Sequence, residues 1–216
     1  MKLVFLGPPG AGKGTLAARA VEFLGVPHIS TGAIFRAAIA AQTPLGRKVK
    51  AVIDAGKLVD DETTIELVKQ RLAQDDARKG YILDGFPRTI PQAEALAAFA
   101  GIDGAVNFDI PDAAVLERLG GRRVCRQCGA NYHQIFNRPR REGVCDTCGG
   151  EVYIRNDDQA GAVQERLEVY RKQTAPLIGF YRGQGLLIDV DARPQVEQVV
   201  ENFRQALKAR GAQPAV

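Results

Sequence analysis

The chain has 216 residues, of which 45% are hydrophobic and 25% charged, and its formal net charge is +4. This size and an ordinary apolar fraction indicate a globular core with insertions and exclude a disordered chain. No run reaches the roughly 18 to 20 apolar residues of a membrane span, and the first residues lack the apolar stretch of a signal peptide. We therefore expect a cytoplasmic protein with reduced cysteines and no membrane partner.

Short apolar runs alternate with amphipathic stretches along the chain. The runs that predict buried strands are 3–6, 81–83, 105–110 and 186–190. The stretches with helical spacing are 15–24, 61–73, 111–119 and 194–209. Asp61 is the predicted cap of the second helix, and the last residues, 210–214, are expected to fray. Strands that alternate with helices imply an α/β fold with a parallel sheet.

Two segments interrupt this alternation. Residues 30–59 contain no convincing strand and predict short helices inserted between the first two strands. Residues 122–158 are rich in glycine, arginine and cysteine and predict a small β-rich insertion. The rest of the chain, 1–29, 60–121 and 159–216, then forms one core.

A glycine-rich loop follows the first predicted strand and opens a helix. It reads Gly-Pro-Pro-Gly-Ala-Gly-Lys-Gly-Thr over residues 7–15, the pattern and context of a loop that binds a nucleoside triphosphate. Backbone amides and the helix N-terminus would hold the phosphates, and Lys13 would reach the outer ones. Gly14 replaces the usual hydroxyl residue, so Thr15 is expected to bind phosphate and Mg²⁺ to be held mainly through waters. The loop alone does not separate a kinase from an ATPase or GTPase.

A kinase also needs a site for the acceptor phosphate, which arginine forks suit. The candidates are Arg36, Arg88, Arg122, Arg155 and Arg166. Asp84 and Arg88 belong to an Asp-Gly-Phe-Pro-Arg motif at the carboxyl end of a predicted strand, where ligands bind in open α/β sheets. Asp84 is the candidate for holding magnesium through water, and Arg88 for bridging two phosphate groups.

The four cysteines form two pairs with the spacing C-x2-C-x16-C-x2-C. They are Cys125, Cys128, Cys145 and Cys148. This spacing predicts a tetrahedral Zn²⁺ site that four thiolates saturate, so the metal would be structural. We expect neither His133 nor His28 to be a ligand. Disulfides across the pairs are the alternative, which a reducing compartment disfavours.

The chain resembles the adenylate kinases over nearly its whole length. The matching stretches are 7–15, 29–32 with Arg36, 55–59, 83–92, 121–123, Arg155 with Asp157 and Asp158, Arg166, and 174–177. The resemblance implies the Mg²⁺-dependent reaction of ATP with AMP to give two ADP, by a monomer. It further implies a parallel-sheet P-loop core, a helical monophosphate-binding insertion at 30–59 and a zinc-binding β lid at 122–158.

The resemblance also carries residue roles onto this sequence. The ATP site would comprise Gly10, Ala11, Gly12, Lys13, Gly14, Thr15, Arg118, Arg122, Tyr132 and Arg193. The AMP site would comprise Thr31, Arg36, Lys57, Leu58, Val59, Gly85, Phe86, Pro87, Arg88, Gln92, Arg155 and Arg166. Lys13, Arg88, Arg122, Arg155 and Arg166 would be catalytic. Gln92 would pair with the adenine edge of AMP, Arg118 would stack on the donor base, and Asp157 and Asp158 would link the lid to the core.

Two other functions stay open at this point. One is a kinase for another monophosphate, GMP, CMP or UMP, although Thr31 and Gln92 favour adenine. The other is a zinc ribbon that binds nucleic acid, since residues 118–155 hold eight arginines against three acidic residues. We expect no nucleic-acid partner, because phosphates of small nucleotides account for these arginines.

Overall fold

The computed structural model describes residues 1–211; residues 212–216, on which part of the expected fraying falls, lie outside the described residues. The strands are β1 Lys2–Leu6, β2 His28–Ser30, β3 Tyr81–Asp84, β4 Gly104–Asp109, β5 Arg122–Cys125, β6 Asn131–His133, β7 Val152–Tyr153 and β8 Leu187–Asp191. The helices are α1 Lys13–Leu24, α2 Thr31–Ala40, α3 Pro44–Asp54, α4 Asp61–Leu72, α5 Ile90–Phe99, α6 Asp112–Gly121, α7 Ala160–Val169, α8 Pro176–Gly183 and α9 Val196–Ala209.

The central sheet has five parallel strands in the order β2-β3-β1-β4-β8. The α/β fold, its parallel sheet and the four predicted strands are therefore confirmed, with ends that differ by one or two residues. Strand β2 escaped prediction because it is only three residues long, directly after Pro27. The cap of α4 is Asp60, whose carboxylate accepts the backbone N–H of Thr63 at 2.8 Å, so the prediction of Asp61 was wrong.

Both faces of the sheet are covered by helices. On one face, the rings of Phe5 and Phe108 lie 5.1 Å apart, and Phe203 of α9 meets Phe5 edge-on at 5.7 Å. On the other face, Phe86 and Leu96 are buried with the remaining strand residues. Full burial of such a side chain contributes about 1.5–3 kcal/mol. This rigid core holds the carboxyl ends of β1 and β3 side by side, with Phe5 in register with Asp84.

Two smaller units extend from this edge of the sheet. Helices α2 and α3 pack around Phe35 and Val49, as the prediction of short helices required. Strands β5, β6 and β7 form an antiparallel sheet, which confirms the β-rich segment. No helix within residues 1–211 combines the length and the apolar character needed to cross a membrane.

The close contact between α2 and α3 predicts that Gly46→Ala lowers the stability of the fold, whereas Gly→Ala at an uncrowded helical position does not. A Cβ at Gly46 would lie 2.0 Å from the carbonyl oxygen of Ala38, so Gly46→Ala must push the two helices apart. We expect a loss of about 1–3 kcal/mol in the free energy of unfolding, measured in urea. Gly179→Ala in α8 is the control: its Cβ meets nothing within 4 Å, and it should stabilise by up to about 1 kcal/mol. Equal stability of both variants would contradict the packing described.

Candidate active site

The loop between β1 and α1 has the backbone that its glycines require. Gly10 and Gly12 have φ values of 86° and 91°, in the left-handed region. A Cβ at Gly10 would also come within 2.8 Å of the Leu119 side chain. The loop therefore turns tightly into the N-terminus of α1, where backbone amides and the helix dipole favour an anion.

Lys13 lies at the floor of the cleft that this loop opens. Its Nζ donates hydrogen bonds to the carbonyl oxygens of Gly7 and Pro8, both at 2.8 Å, which leaves one N–H for a phosphate. Desolvation lowers the pKa of Lys13 to about 8, against the opposing charge of Asp84. A bound polyphosphate would stabilise the ammonium.

Asp84 stands at the end of β3, opposite the loop. Burial by itself would raise the pKa of this carboxyl, but the hydrogen bond from His28 and the charge of Lys13 outweigh it and keep the pKa low. The His28 Nε2 atom lies 3.4 Å from Asp84 Oδ2. Gly14 occupies the position where a hydroxyl residue is usual. A Cβ atom at Gly14 would lie 3.7 Å from Asp84 Oδ2, so this position faces the same carboxylate. Asp84 is thus an ionised, hard oxygen donor of the kind that Mg²⁺ prefers.

Arginines from several segments surround the same cleft. They are Arg36 on α2, Arg88 after β3, Arg122 on β5, Arg155 before α7 and Arg166 on α7. Burial, with the charge of Arg155, lowers the pKa of Arg36 to about 9, and burial lowers that of Arg166 to about 10. The cleft encloses about 2110 Å³, more than the roughly 300–1,000 Å³ of a pocket for one small ligand. It has room for two nucleotides.

Two buried aspartates hold three of these arginines. Arg122 Nε donates to Asp158 at 2.6 Å, and Arg166 donates to the other oxygen of Asp158 at 2.8 Å. Arg155 Nε donates to Asp157 at 2.8 Å. Although burial would raise it, the pKa of Asp157 is lowered to about 2 by the charges of Arg166 and Arg155. The two aspartates thus connect Arg122 of β5 and Arg155 to Arg166 of α7.

The residues predicted for the monophosphate meet around Gly85. Its carbonyl accepts hydrogen bonds from Thr31 Oγ1 at 2.8 Å and from Arg88 Nε at 3.0 Å. The Gln92 side chain accepts the backbone N–H of Arg88 at 2.8 Å and donates to Asp61 at 2.7 Å. The remaining predicted residues that line this part of the cleft are Lys57, Leu58, Val59 and Pro87. Phe86 does not line it, because the whole residue is buried in the core.

The residues predicted for the triphosphate are more dispersed. Arg118 lines the cleft beside the loop and donates to the carbonyl oxygens of Arg193 and Pro194, at 3.1 and 3.3 Å. The Arg193 side chain is paired with Asp191, so its backbone carbonyl is the group turned towards Arg118. Tyr132 lies in β6 and lines the cleft, and its side chain packs in the small core around Cys125 and Cys145.

The four cysteines come together in the lid. Their Sγ atoms all lie within 4.8 Å of one another, with Cys125–Cys148 and Cys128–Cys145 at 3.5 Å. Gly129 and Gly149 follow the two pairs with φ of 74°, which closes each knuckle. The cluster is compatible with a tetrahedral zinc site. His133 lies outside it and accepts the amides of Ile135 and Phe136.

Known proteins match this chain over most of its length. A model of the family described as adenylate kinase matches residues 5–186. An adenylate kinase of Treponema denticola is 57% identical over 94% of this chain and 98% of its own length. Those of Carboxydothermus hydrogenoformans and Desulfitobacterium hafniense are 54% and 50% identical over 96% of this chain and at least 98% of their own lengths. The chain belongs to the adenylate kinase family. It is a nucleoside monophosphate kinase, and the activity is that of an adenylate kinase.

Three side chains of this adenylate kinase site escaped the sequence reasoning or lacked a role in it. His28 contacts Asp84, and Asp61 holds the Gln92 amide. Thr174 donates to the Arg88 carbonyl at 2.9 Å. Only Thr174 carried a signal, because it begins a Thr-Ala-Pro-Leu stretch typical of the family. His28 and Asp61 contact residues that lie 56 and 31 positions away in the sequence, and no local pattern reveals such contacts.

The pKa of Lys13 predicts how donor binding in this adenylate kinase depends on pH. Because phosphates bind the ammonium form, and that form is lost in the free enzyme above a pKa of about 8, ATP affinity should fall about tenfold per pH unit above that value. Below it the affinity should level off. The measurement is the Kd of ATP by calorimetry between pH 6.5 and 9.5. In Lys13→Arg, whose side chain stays charged, the slope should vanish; an unchanged slope would exclude Lys13 as its source.

Proposed function

We propose that the chain transfers the γ-phosphoryl group of Mg²⁺-bound ATP to AMP, reversibly, giving two ADP. The observation that carries this proposal is the convergence of the phosphate loop and five arginines on one cleft. Lys13 and these arginines supply six cations, whereas Asp84, Asp157 and Asp158 supply three carboxylates. Such an excess of positive charge suits two polyphosphate groups placed end to end.

The chemistry asked of the protein is positioning and charge neutralisation. Phosphoryl transfer needs little covalent participation by side chains, so neither a nucleophile nor a general base is assigned. Lys13 and the amides of residues 10–15 hold the donor phosphates in the proposed site. Arg88, between Asp84 and the monophosphate residues, binds phosphate of both nucleotides. Magnesium, when bound, neutralises phosphate charge, and Asp84 would hold it through water.

Arg122, Arg155 and Arg166 complete the charge stabilisation in this proposal. Each is held by Asp157 or Asp158 with bonds that fix the guanidinium plane. Incoming phosphates then meet donors that are already oriented, which reduces the reorganisation needed during transfer. The remaining donor-site roles, for Arg118, Tyr132 and Arg193, rest on the resemblance together with their position on the cleft wall.

Gln92 is proposed to recognise the acceptor base. Each group of its amide uses one hydrogen bond, to Arg88 and to Asp61. One N–H and one lone pair stay available. These two groups match the edge of adenine, which offers an acceptor nitrogen beside an amino group.

The two insertions are proposed to close over the substrates. Residues 30–59 would form the monophosphate-binding insertion and residues 122–158 the lid, on a core of 1–29, 60–121 and 159–216. Closure would exclude water, which would otherwise accept the phosphoryl group. We also propose a structural Zn²⁺ on the four cysteines. A monomer in the cytoplasm, where thiols stay reduced, fits these assignments.

The acceptor is tested with a panel of monophosphates. A coupled assay of ADP formation from ATP should give the highest kcat/KM with AMP, because Gln92 complements adenine. GMP, CMP and UMP serve as competing acceptors in the same assay. Faster turnover with CMP or UMP would contradict the assignment of AMP.

Arg88→Ala should lower kcat by about 10²–10³, since one such donor at the transition state is worth about 3 kcal/mol. Melting curves with and without ATP would establish that the variant is folded and binds nucleotide. Arg78→Ala is the matched control: it removes an exposed arginine paired with Asp75 at 2.9 Å and should keep the wild-type kcat. Near-normal turnover in Arg88→Ala would remove this residue from the transfer step.

The proposed zinc is tested through stability. Cys128→Ser removes one of four thiolates and should lower Tm by about 5 °C, because the lid has a very small core of its own. Metal analysis of the same samples should give one zinc per wild-type chain and less in the variant. Loss of turnover in a variant with unchanged Tm would count against a structural role.

A further inference from the structure

One buried hydroxyl in the lid is not used by the phosphate chemistry. The side chain of Tyr132 extends from β6 into the small core beneath the cysteines, and the residue is only 7% exposed. Its oxygen lies 3.4 Å from Cys145 Sγ and accepts the backbone N–H of Asp146 at 2.7 Å. The phenol therefore contacts the second cysteine knuckle twice, at consecutive residues.

These two contacts favour a hydrogen bond from the phenol to the sulfur. The Asp146 amide can only donate, so the phenol oxygen is its acceptor and the phenol hydrogen remains free. Cys145 Sγ, at 3.4 Å, can accept that hydrogen, whereas the Thr147 hydroxyl, which also approaches the phenol, can donate to its oxygen. A thiolate bound to a metal accepts such a hydrogen bond, and partners of this kind orient metal ligands and tune the affinity for the metal.

The position of Tyr132 in the sheet means that its contact with Cys145 also links this cysteine to strand β5. Tyr132 is in register with Arg123 of β5, the strand that begins at Arg122 and ends at Cys125. The phenol thus connects the knuckle of Cys145 to the strand pair that carries the first cysteine and a proposed catalytic arginine.

We propose that Tyr132 is a positioning residue of the metal site, whose hydroxyl donates a hydrogen bond to Cys145 Sγ and holds this ligand against the β5–β6 strand pair. The inference rests on the proposed zinc site. It assigns to the Tyr132 side chain a role at the metal site that is separate from the ATP-site role that the resemblance implies for this residue.

Ring packing alone is the competing explanation, because Tyr132 also packs with Cys125 and Val152. Tyr132→Phe keeps the ring and removes only the hydroxyl, whereas Tyr132→Leu removes both. Tyr153→Phe is the matched control in the same small sheet. Tyr153 lies under the Arg126 guanidinium at 4.0 Å, and its hydroxyl bonds to no group within residues 1–211.

The experiment measures zinc affinity of the full-length chains by competition with a chromophoric chelator. Tyr132→Phe should bind zinc about tenfold more weakly than wild type and release it faster to excess chelator. Tyr153→Phe should match wild type. Zinc content and circular dichroism at saturating zinc would accompany each measurement.

The outcomes separate the two claims. Wild-type affinity in Tyr132→Phe, with a loss confined to Tyr132→Leu, would overturn the hydroxyl's role and leave ring packing. A wild-type chain that binds no zinc would instead overturn the proposed metal site. A loss in both Tyr132 variants with one zinc per wild-type chain is the expected result.

Discussion

Like charges brought together at the carboxyl ends of β1 and β3 are the constraint on which the rest of this structure depends. Lys13 and five arginines would repel one another in an empty cleft, and desolvation already lowers the pKa of Lys13 and Arg36. Three carboxylates offset part of this charge, and two of them, Asp157 and Asp158, orient three of the arginines. The remaining excess of positive charge gives the cleft its affinity for phosphates. The same repulsion destabilises the empty site, and bound phosphates would relieve it.

The lid gains little hydrophobic stabilisation, because a three-stranded sheet has little apolar surface to bury. Cys125, Tyr132 and Cys145 form most of its core. Cross-links through a metal would replace the missing hydrophobic stabilisation. The same sheet carries Arg122, so the stability of the lid and the alignment of an arginine that we propose to be catalytic depend on one set of contacts.

Local patterns in the sequence predicted the parallel sheet, the phosphate loop and the cysteine cluster. Each depends on residues within a few positions of one another or on a spacing typical of a single motif. The short strand β2 carried too few residues to give a pattern. Asp61 was misread as a cap because Asp60, one residue earlier, satisfies the same rule, and only the fold shows that Asp61 serves Gln92 instead.

The sequence by itself determined the family, the fold class and the chemical types of the site residues, since these follow from local motifs in order along the chain. The tertiary structure decided which partners those residues take. It paired Arg122 with Asp158, set Asp61 against Gln92 and directed the Tyr132 phenol to Cys145. Such pairings join positions 13 to 36 residues apart, and they form because packing of separate elements brings them within hydrogen-bond distance, which no spacing in the sequence encodes.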